Sequence, residues 1–200
     1  MINIIIIDDH KMMREGLKSF LNTNDGWNVV GEAGSLEEVK KLISEKERQL
    51  INAIAIVDIK LGDDSGLDVL KVLSDSHLGI RSLMYSMFDS PGYAMKAIDN
   101  GAMGYITKAA DNSELMKALK EIASGNTYIQ QSLMHGITVT ANLVSGLTKK
   151  ERQVFDLIRQ DFSNDEIAKR LEISIRTTEN YVSKIYDKLG VNDRSELIVK

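Results

Sequence analysis

Residues 2–9 read Ile-Asn-Ile-Ile-Ile-Ile-Asp-Asp, a nearly unbroken apolar run that ends on Asp8 and Asp9. A short run of this kind, bounded by polar residues, predicts a buried strand. The same arrangement recurs at residues 53–58, where Ala-Ile-Ala-Ile-Val is followed by Asp58. Two predicted strands therefore end on carboxylates, which links the fold to a candidate site.

Helical patterns alternate with strand-like runs throughout the first 125 residues. The predicted strands are residues 2–8, 27–33, 53–58, 81–86 and 104–107. The predicted helices are residues 11–21, 36–45 with Ser35 as N-cap, a segment that follows the polar loop 62–66, 92–100 after Pro91, and 113–123. Five strands alternating with five helices predict an α/β fold with a doubly wound parallel sheet.

Polar side chains follow four of the five predicted strands. Asp8 and Asp9 follow the first strand, Asp58 the third, Ser86 ends the fourth and Lys108 follows the fifth. In an open α/β sheet, ligand sites form at the carboxyl ends of the strands, where the connections diverge. Three carboxylates, a hydroxyl and an ammonium at this edge predict a site for a metal ion and a phosphoryl group.

The pattern changes after Gly125, and the remaining sequence is helical. We predict three segments: a domain at residues 1–125, a linker at 126–146 with a short helix near 130–136, and a second domain at 147–200. The predicted helices of the second domain are residues 148–158, 165–171, 175–189 and 194–200. Four short capped helices with a tight turn at residues 172–173 fit helix-turn-helix geometry.

Net charge separates the two parts of the chain. Residues 1–125 carry 14 Lys and Arg against 19 Asp and Glu, a formal charge of −5, while residues 126–200 carry 11 against 10, a charge of +1. The two parts are therefore expected to have different partners. A charge of +1 is too small to establish DNA binding without further support.

Composition excludes several classes of protein. The chain has no cysteine, so disulfides and thiolate metal sites are excluded and a reducing compartment is consistent with the sequence. The apolar start is too short for a membrane span and lacks the basic residues that open a signal peptide. We expect a cytoplasmic protein that does not interact with membranes.

The helix predicted at 175–189 has the pattern of a recognition helix. Val182, Ile185 and Leu189 share one face and should pack inward, which leaves the other face exposed. The residues predicted on the exposed face are Arg176, Thr177, Thr178, Glu179, Asn180, Ser183 and Lys184. Because such a helix enters the major groove of DNA, we expect DNA contacts from four of them: Arg176, Thr177, Asn180 and Lys184.

These motifs together resemble a known family. Residues 6–10 (Ile-Ile-Asp-Asp-His), 57–59 (Val-Asp-Ile), 84–86 (Met-Tyr-Ser) and 104–108 (Gly-Tyr-Ile-Thr-Lys) resemble the receiver domain of two-component response regulators, which has a flavodoxin-like fold. Residues 147–151, 164–168 and 174–191 resemble the DNA-binding domain of the LuxR/FixJ (NarL) type. The resemblance covers nearly the whole chain.

The resemblance implies a role for each site residue. Asp8, Asp9 and Asp58, with the main-chain carbonyl of Lys60, would bind Mg²⁺, a hard cation that prefers oxygen ligands. Asp58 would accept a phosphoryl group from a sensor histidine kinase. The remaining roles are phosphate binding by Lys108 and Ser86, and a conformational switch that involves Ser86 and Tyr105.

The function that follows is transcription control. We expect a regulator that is not an enzyme, and whose phosphorylation at Asp58 controls homodimer formation and promoter binding. The family often has valine, lysine and histidine where this chain has Thr178, Glu179 and Tyr181, so the operator sequence stays open.

Three alternatives stay open at this level. Paired aspartates after a strand often only cap the next helix. The chain could be an enzyme, an aspartate-nucleophile phosphatase that uses Asp8 with Mg²⁺, although no insertion large enough for a substrate cap is evident. It could also be a constitutive DNA-binding protein whose first domain only dimerises.

Overall fold

The computed structural model describes residues 1–134, 143–189, 191, 194 and 197. They form two compact units, the first drawn from residues 1–131 and the second largely from residues 132–200. Each unit has its own hydrophobic core.

The first unit is a parallel sheet with helical connections. Its strands are β1 (Ile2–Ile7), β2 (Trp27–Ala33), β3 (Ile54–Val57), β4 (Lys60–Leu61), β5 (Asp64–Ser65), β6 (Arg81–Ser86), β7 (Gly104–Thr107) and β8 (Tyr128–Ile129). Its helices are α1 (Lys11–Asn22), α2 (Leu36–Leu50), α3 (Gly66–Asp75), α4 (Pro91–Asp99) and α5 (Asn112–Ala123). Six strands form one sheet in the order β2-β1-β3-β6-β7-β8, and every pair is parallel. The predicted fold class is confirmed.

Burial explains why the isoleucine run is a strand. Ile4, Ile5, Ile6 and Ile7 are each 0% exposed. A central parallel strand is covered by helices on both faces, so an apolar run without alternation is stable there. β1 lies between β2 and β3, which places Asp8 and Asp9 beside the end of β3.

The sheet has one strand more than the five predicted. β8 pairs with β7 in parallel, and the N–H of Tyr128 donates to the carbonyl of Met103 at 2.9 Å. Both residues of β8 lie in the segment 126–146 that was predicted as linker. A two-residue strand is too short to produce a periodic signal, so the sequence pattern could not show it. Gly104 permits the pairing, because a Cβ there would lie 2.9 Å from the carbonyl oxygen of Tyr128.

Two further boundaries differ from the prediction. α2 continues to Leu50 instead of ending near residue 45, with non-helical dihedrals at Lys46 (φ −123°, ψ 22°). Leu50 is 0% exposed, so burial of this side chain holds the last turn of α2 against the core. The predicted polar loop at residues 62–66 contains the second strand of a small hairpin, in which β4 and β5 are antiparallel.

The second unit is helical. Its helices are α6 (Lys149–Arg159), α7 (Asn164–Leu171) and α8 (Ile175–Leu189). Thr148 and Ser163 begin α6 and α7 with complete capping boxes, each with a glutamate three residues on. Glu172 ends α7 with left-handed dihedrals (φ 54°), which produces the predicted tight turn before α8.

Two predicted helices fall partly outside the described residues. Residues 131–134 are helical, whereas 135 and 136 lie outside the described part of the chain. Of the predicted last helix, only residues 194 and 197 are described. Among the helices of the described residues, none is long and apolar enough to cross a membrane.

Candidate functional site

The carboxyl ends of β1, β3 and β7 bring an acidic cluster together. Asp8 is 2% exposed and Asp58 is 5% exposed, so both carboxylates are buried. The Asp58 N–H donates to the carbonyl of Ile7 at 2.8 Å, which places the two carboxylates on neighbouring strand ends. Asp9 is exposed, and its Oδ2 accepts from the N–H of Gly62 at 3.1 Å.

Lys108 lies between the two buried carboxylates. Its Nζ is 2.6 Å from Asp8 Oδ2 and 2.6 Å from Asp58 Oδ2, and only 4% of the side chain is exposed. Burial lowers the pKa of Lys108, but the hydrogen bonds that its ammonium donates to Asp58 and Asp8 outweigh this effect and raise the pKa above its ordinary value. The ammonium is therefore charged at neutral pH and holds the two carboxylates together.

The cluster has the donor atoms of a divalent cation site. One ligand atom from each of Asp8, Asp9, His10 and Asp58 can be chosen so that all four lie within 4.8 Å of one another. Three of these residues are carboxylates, the ligands that Mg²⁺ prefers. The residues present thus fit the ion that the sequence predicted. The main-chain carbonyl of Lys60, in β4, stays a predicted ligand.

His10 is the fourth member of the cluster. Its Nδ1 lies 2.8 Å from Asp9 Oδ1 and 3.3 Å from Asp8 Oδ1. Its main-chain N–H donates to Asp8 Oδ1 at 2.8 Å, so Asp8 also stabilises the residue from which α1 begins. Within the described residues, neither Asp8 nor Asp9 accepts from an N–H of the first turn of α1, so the capping alternative is not borne out.

Two residues position the acidic cluster through the main chain. Arg14 Nη1 donates to the carbonyl of Asp8 at 2.5 Å. Gly66 begins α3 directly against β3, and a Cβ at this position would lie 1.9 Å from the carbonyl oxygen of Asp58. Only glycine allows this approach, so residue 66 controls where the end of β3 lies.

Ser86 and Tyr105 lie on the neighbouring strands β6 and β7, and both are 0% exposed. The Ser86 Oγ accepts from the N–H of Phe88 at 3.4 Å, and within the described residues it makes no hydrogen bond to the acidic cluster. The Tyr105 hydroxyl donates to the carbonyl of Phe88 at 2.7 Å. The tyrosine ring is therefore inside the unit, and both side chains contact the same residue of the loop after β6.

A second polar surface lies on α8. Val182, Ile185 and Leu189 are buried, as predicted. Most of the predicted outer face is exposed: Arg176, Glu179, Asn180, Ser183 and Lys184. Thr177 is half-buried, and its Oγ1 lies 2.7 Å from Ser174 Oγ.

The prediction that Thr178 is exposed was wrong. Thr178 is 0% exposed, and its Oγ1 donates to the carbonyl of Ser174 at 3.3 Å. It lies four residues before Val182, on the same stripe of the helix, so it faces the core. The hydrogen bond to the preceding turn satisfies its hydroxyl there.

Comparison with known proteins decides the family. Residues 4–120, more than half of the chain, match the response regulator receiver domain. The chain belongs to the response regulator family. Residues 145–200 match the bacterial regulatory proteins of the luxR family. This response regulator therefore combines a receiver domain with a C-terminal LuxR-type domain, as the sequence motifs predicted.

Curated relatives match this response regulator over almost their whole length. It is 30% identical over 200 residues to the transcriptional regulatory protein DesR of Bacillus subtilis, covering 100% of this chain and 96% of DesR. It is 29% identical over 206 residues to the DNA-binding transcriptional activator DevR/DosR of Mycobacterium tuberculosis, covering 100% of this chain and 93% of the relative.

Solved structures of response regulators are similar over almost the whole chain. One is RcsB from Salmonella enterica serovar Typhimurium bound to a promoter in the presence of phosphomimetic BeF3⁻. Its TM-score is 0.70, with 25% identity, and the match covers 99% of this response regulator and 96% of that chain. Another contains two RcsB dimers bound to two parallel DNAs, with a TM-score of 0.71 and 25% identity.

Proposed function

We propose that this chain is a transcription regulator whose DNA binding is controlled by transfer of a phosphoryl group from a histidine kinase to Asp58. The observation that carries the proposal is the buried contact of Lys108 with both Asp8 and Asp58, at 2.6 Å each. A phosphoacceptor needs a carboxylate, nearby acidic ligands for a cation, and a cation of the protein to bind the product. All three lie at one edge of the sheet.

The transfer itself is a substitution at phosphorus. A carboxylate oxygen of Asp58 attacks the phosphorus of a phosphohistidine, the P–N bond breaks, and an acyl phosphate forms while the imidazole nitrogen leaves. Lys108 pairs with Oδ2 of Asp58, so Oδ1 is the proposed attacking atom. A bound Mg²⁺ would neutralise charge on the phosphoryl oxygens. Asp8 and Asp9, with Asp58 and the carbonyl of Lys60, would hold that ion.

Phosphorylation would then change the contacts of Lys108 and Ser86. The modification adds a charge of about −1.5 to −2 beside existing carboxylates, which favours movement of the ammonium toward the new oxygens. The Ser86 hydroxyl, at the end of the adjacent strand β6, would donate to another phosphoryl oxygen. Ser86 and Tyr105 both make a hydrogen bond to Phe88, so movement of Ser86 would shift Phe88 and change the hydrogen bond of the Tyr105 hydroxyl. These two residues are the proposed switch.

The exposed face of α8 is the proposed DNA surface. Arg176 and Lys184 would contact phosphates, while Asn180 and the half-buried Thr177 would contact base edges or the backbone. Thr177 is less available for a DNA contact than the sequence indicated, because its hydroxyl is hydrogen-bonded to the Ser174 hydroxyl. The exposed Glu179 would accept from a cytosine amino group, in place of a basic contact.

A DNA-binding experiment in two phosphorylation states tests the function. Duplexes selected from a random pool by the full chain are titrated with the protein, with and without beryllofluoride and Mg²⁺. We expect tighter binding with beryllofluoride by about 5- to 150-fold, the usual range of coupling between two sites. Asp58→Asn should remove the difference. Equal affinity in both states of the wild type would contradict the proposal.

The same experiment separates contact types on α8. Lys184→Ala should weaken binding to all duplexes alike. The slope of the logarithm of the binding constant against the logarithm of the salt concentration should fall in magnitude by about 1. Asn180→Ala should relax base preference at one position instead. Exposed Lys120 on α5 provides a control, since Lys120→Ala removes the same charge from the first unit.

We further propose that the protein is cytoplasmic and turns over no separate substrate. Steady turnover of a generic phosphate ester would instead favour the phosphatase alternative. Unchanged gene regulation by Asp58→Asn would favour the constitutive alternative, in which the receiver domain only dimerises.

A further inference from the structure

Gln130 is fixed to the switch strand β7 at three points. Its side-chain Oε1 accepts from the N–H of Thr107 at 2.8 Å and from the Thr107 hydroxyl at 3.0 Å. Its main-chain N–H donates to the carbonyl of Tyr105 at 3.0 Å. No sequence motif singled out this residue.

The side chain of Gln130 supplies a hydrogen bond that a longer β8 would otherwise supply. The β7–β8 ladder pairs Gly104 with Tyr128 and Tyr105 with Ile129, and then stops because residues 131–134 are helical. The next N–H of β7 on the side of β8 belongs to Thr107. Thr107 is only 6% exposed, so water is a poor alternative partner for this N–H. The amide oxygen of Gln130 supplies the missing acceptor at the point where the chain leaves the sheet.

The residue held by Gln130 is adjacent to the site. Thr107 directly precedes Lys108, whose N–H donates to the carbonyl of Ser86 at 2.7 Å and whose Nζ contacts both buried carboxylates. Any displacement of the Lys108 main chain that accompanies movement of its ammonium acts directly on the adjoining Thr107 main chain. Gln130 is bonded to that main chain and is also the last residue before the helical segment 131–134.

We propose that Gln130 is a positioning residue that couples the state of Lys108 to the segment that follows β8. In the unphosphorylated state, its amide oxygen holds Thr107, and so fixes both the Lys108 main chain and the start of residues 131–134. When Lys108 follows the phosphoryl group, the two bonds from Thr107 lengthen and the segment is released from this register. The inference rests on the proposed function, since it needs a phosphoryl group at Asp58.

Matched variants test this role. Gln130→Ala removes the acceptor, Gln130→Glu keeps acceptor oxygens at the same reach, and Thr107→Val removes only the hydroxyl bond. The neighbouring Gln131 is exposed, and its side chain makes no hydrogen bond within the described residues, so Gln131→Ala is the control. For each full-length variant, DNA affinity is measured with and without beryllofluoride and Mg²⁺, and amide exchange is measured at Thr107.

We expect Gln130→Ala to reduce the ratio of the two affinities by at least about fivefold, the lower end of typical coupling, while Asp58 still accepts phosphate from acetyl phosphate. Exchange of the Thr107 amide should become faster. Gln130→Glu and Gln131→Ala should keep the wild-type ratio. Thr107→Val, which leaves the main-chain bond in place, should give an intermediate ratio and provides the test if Gln130→Ala does not fold.

The outcomes separate the two proposals. A wild-type ratio in Gln130→Ala, or in Thr107→Val if the alanine variant is unfolded, overturns the role of Gln130 and leaves the proposed function intact. Equal losses in Gln130→Ala and Gln131→Ala also overturn it, because the effect would then not depend on the Thr107 contact. A wild-type protein with no difference between the two states contradicts both proposals.

Discussion

Lys108 is the residue on which the charge balance of the site depends. Its ammonium compensates one of the three carboxylates of Asp8, Asp9 and Asp58, which leaves a formal charge of −2. A divalent cation matches that charge. Removing the ammonium would leave two buried carboxylates facing each other without a counter-charge, which is far more costly than losing an exposed ion pair.

Lys108→Met should therefore destabilise the first unit by about 3 kcal/mol or more without Mg²⁺. Added Mg²⁺ should recover part of the loss, because the ion supplies positive charge to the same carboxylates. Trp27 is the only tryptophan and lies in the core of this unit, so its fluorescence in urea reports the transition. The control is Lys120→Met, at an exposed position of α5. A loss as small as that of the control would show that Lys108 does not balance the charge.

Several residues of the site could be predicted from the sequence and others could not. Asp8, Asp9, Asp58 and Lys108 directly follow apolar strands, so sheet topology alone brings them together. Gln130 gave no signal because its partner, Thr107, is 23 residues away and is reached only through β8. Helical periodicity alone could have predicted the burial of Thr178, because Thr178 lies four residues before Val182 on the same face of α8. The remaining predicted roles, including those of Ser86 and Tyr105, stay predictions.

At the scale of elements, the start of α3 packs closely against the end of β3 in the receiver domain. The Gly66 N–H donates to the carbonyl of Ile59 at 2.6 Å. A Cβ on residue 66 would lie 1.9 Å from the carbonyl oxygen of Asp58, a main-chain atom directly after β3. Because residue 66 has no side chain, the start of α3 can lie directly against the end of β3.

Gly66→Ala should destabilise the first unit by about 3 kcal/mol, at the upper end of ordinary overpacking, and should weaken Mg²⁺ binding because Asp58 moves with its carbonyl. Unfolding in urea and Mg²⁺ titration measure the two effects. Gly16→Ala is the matched control: it is exposed in α1, its Cβ would meet nothing within 4 Å, and alanine should stabilise the helix by about 0.5 to 1 kcal/mol. Equal stability of the two variants would contradict this account of Gly66.

In the second unit, one ion pair joins the start of α6 to the end of α8. Lys188 Nζ lies 2.7 Å from Oε2 of Glu151, and Glu151 is 4% exposed. The same oxygen accepts from the N–H of Thr148 at 2.7 Å. The hydrogen bonds from Lys188 and then from Thr148 lower the pKa of Glu151 from 4.5 to about 2. The ionised glutamate therefore stabilises the folded second unit.

This pKa shift predicts acid sensitivity of the second unit. The stabilisation is complete above the unfolded pKa of 4.5 and is lost as pH falls toward about 2, where Glu151 becomes protonated in the folded state. Thermal unfolding followed between those pH values should show the loss, and Glu151→Gln should flatten the dependence. Glu179→Gln, on the exposed face of α8, is the control. An unchanged pH profile in Glu151→Gln would exclude this ion pair as its source.

At the scale of the whole molecule, the two units have different compositions and separate cores. The formal charge is −5 over residues 1–125 and +1 over residues 126–200, so the C-terminal part has little long-range attraction for DNA. The single helix α8 offers few contacts, so we propose that specific DNA binding by this unit needs a second copy. A two-fold operator is matched by a two-fold dimer.

Dimer formation should therefore depend on phosphorylation. Sedimentation of the wild type at micromolar concentration is expected to show monomers without beryllofluoride and a larger dimer fraction with beryllofluoride and Mg²⁺. Asp58→Asn should give one distribution in both conditions. Identical distributions for the wild type would place control of DNA binding elsewhere in the protein.

The central claim is that Asp58 reversibly accepts a phosphoryl group in a site that also contains Mg²⁺. The most direct measurement is intact mass after incubation with acetyl phosphate and Mg²⁺, followed by reductive trapping of the acyl phosphate and peptide mapping. We predict a gain of one phosphoryl group, located at Asp58 and absent without Mg²⁺ or in Asp58→Asn. A gain located at another residue, or an unchanged mass in a protein that binds Mg²⁺, would contradict the claim.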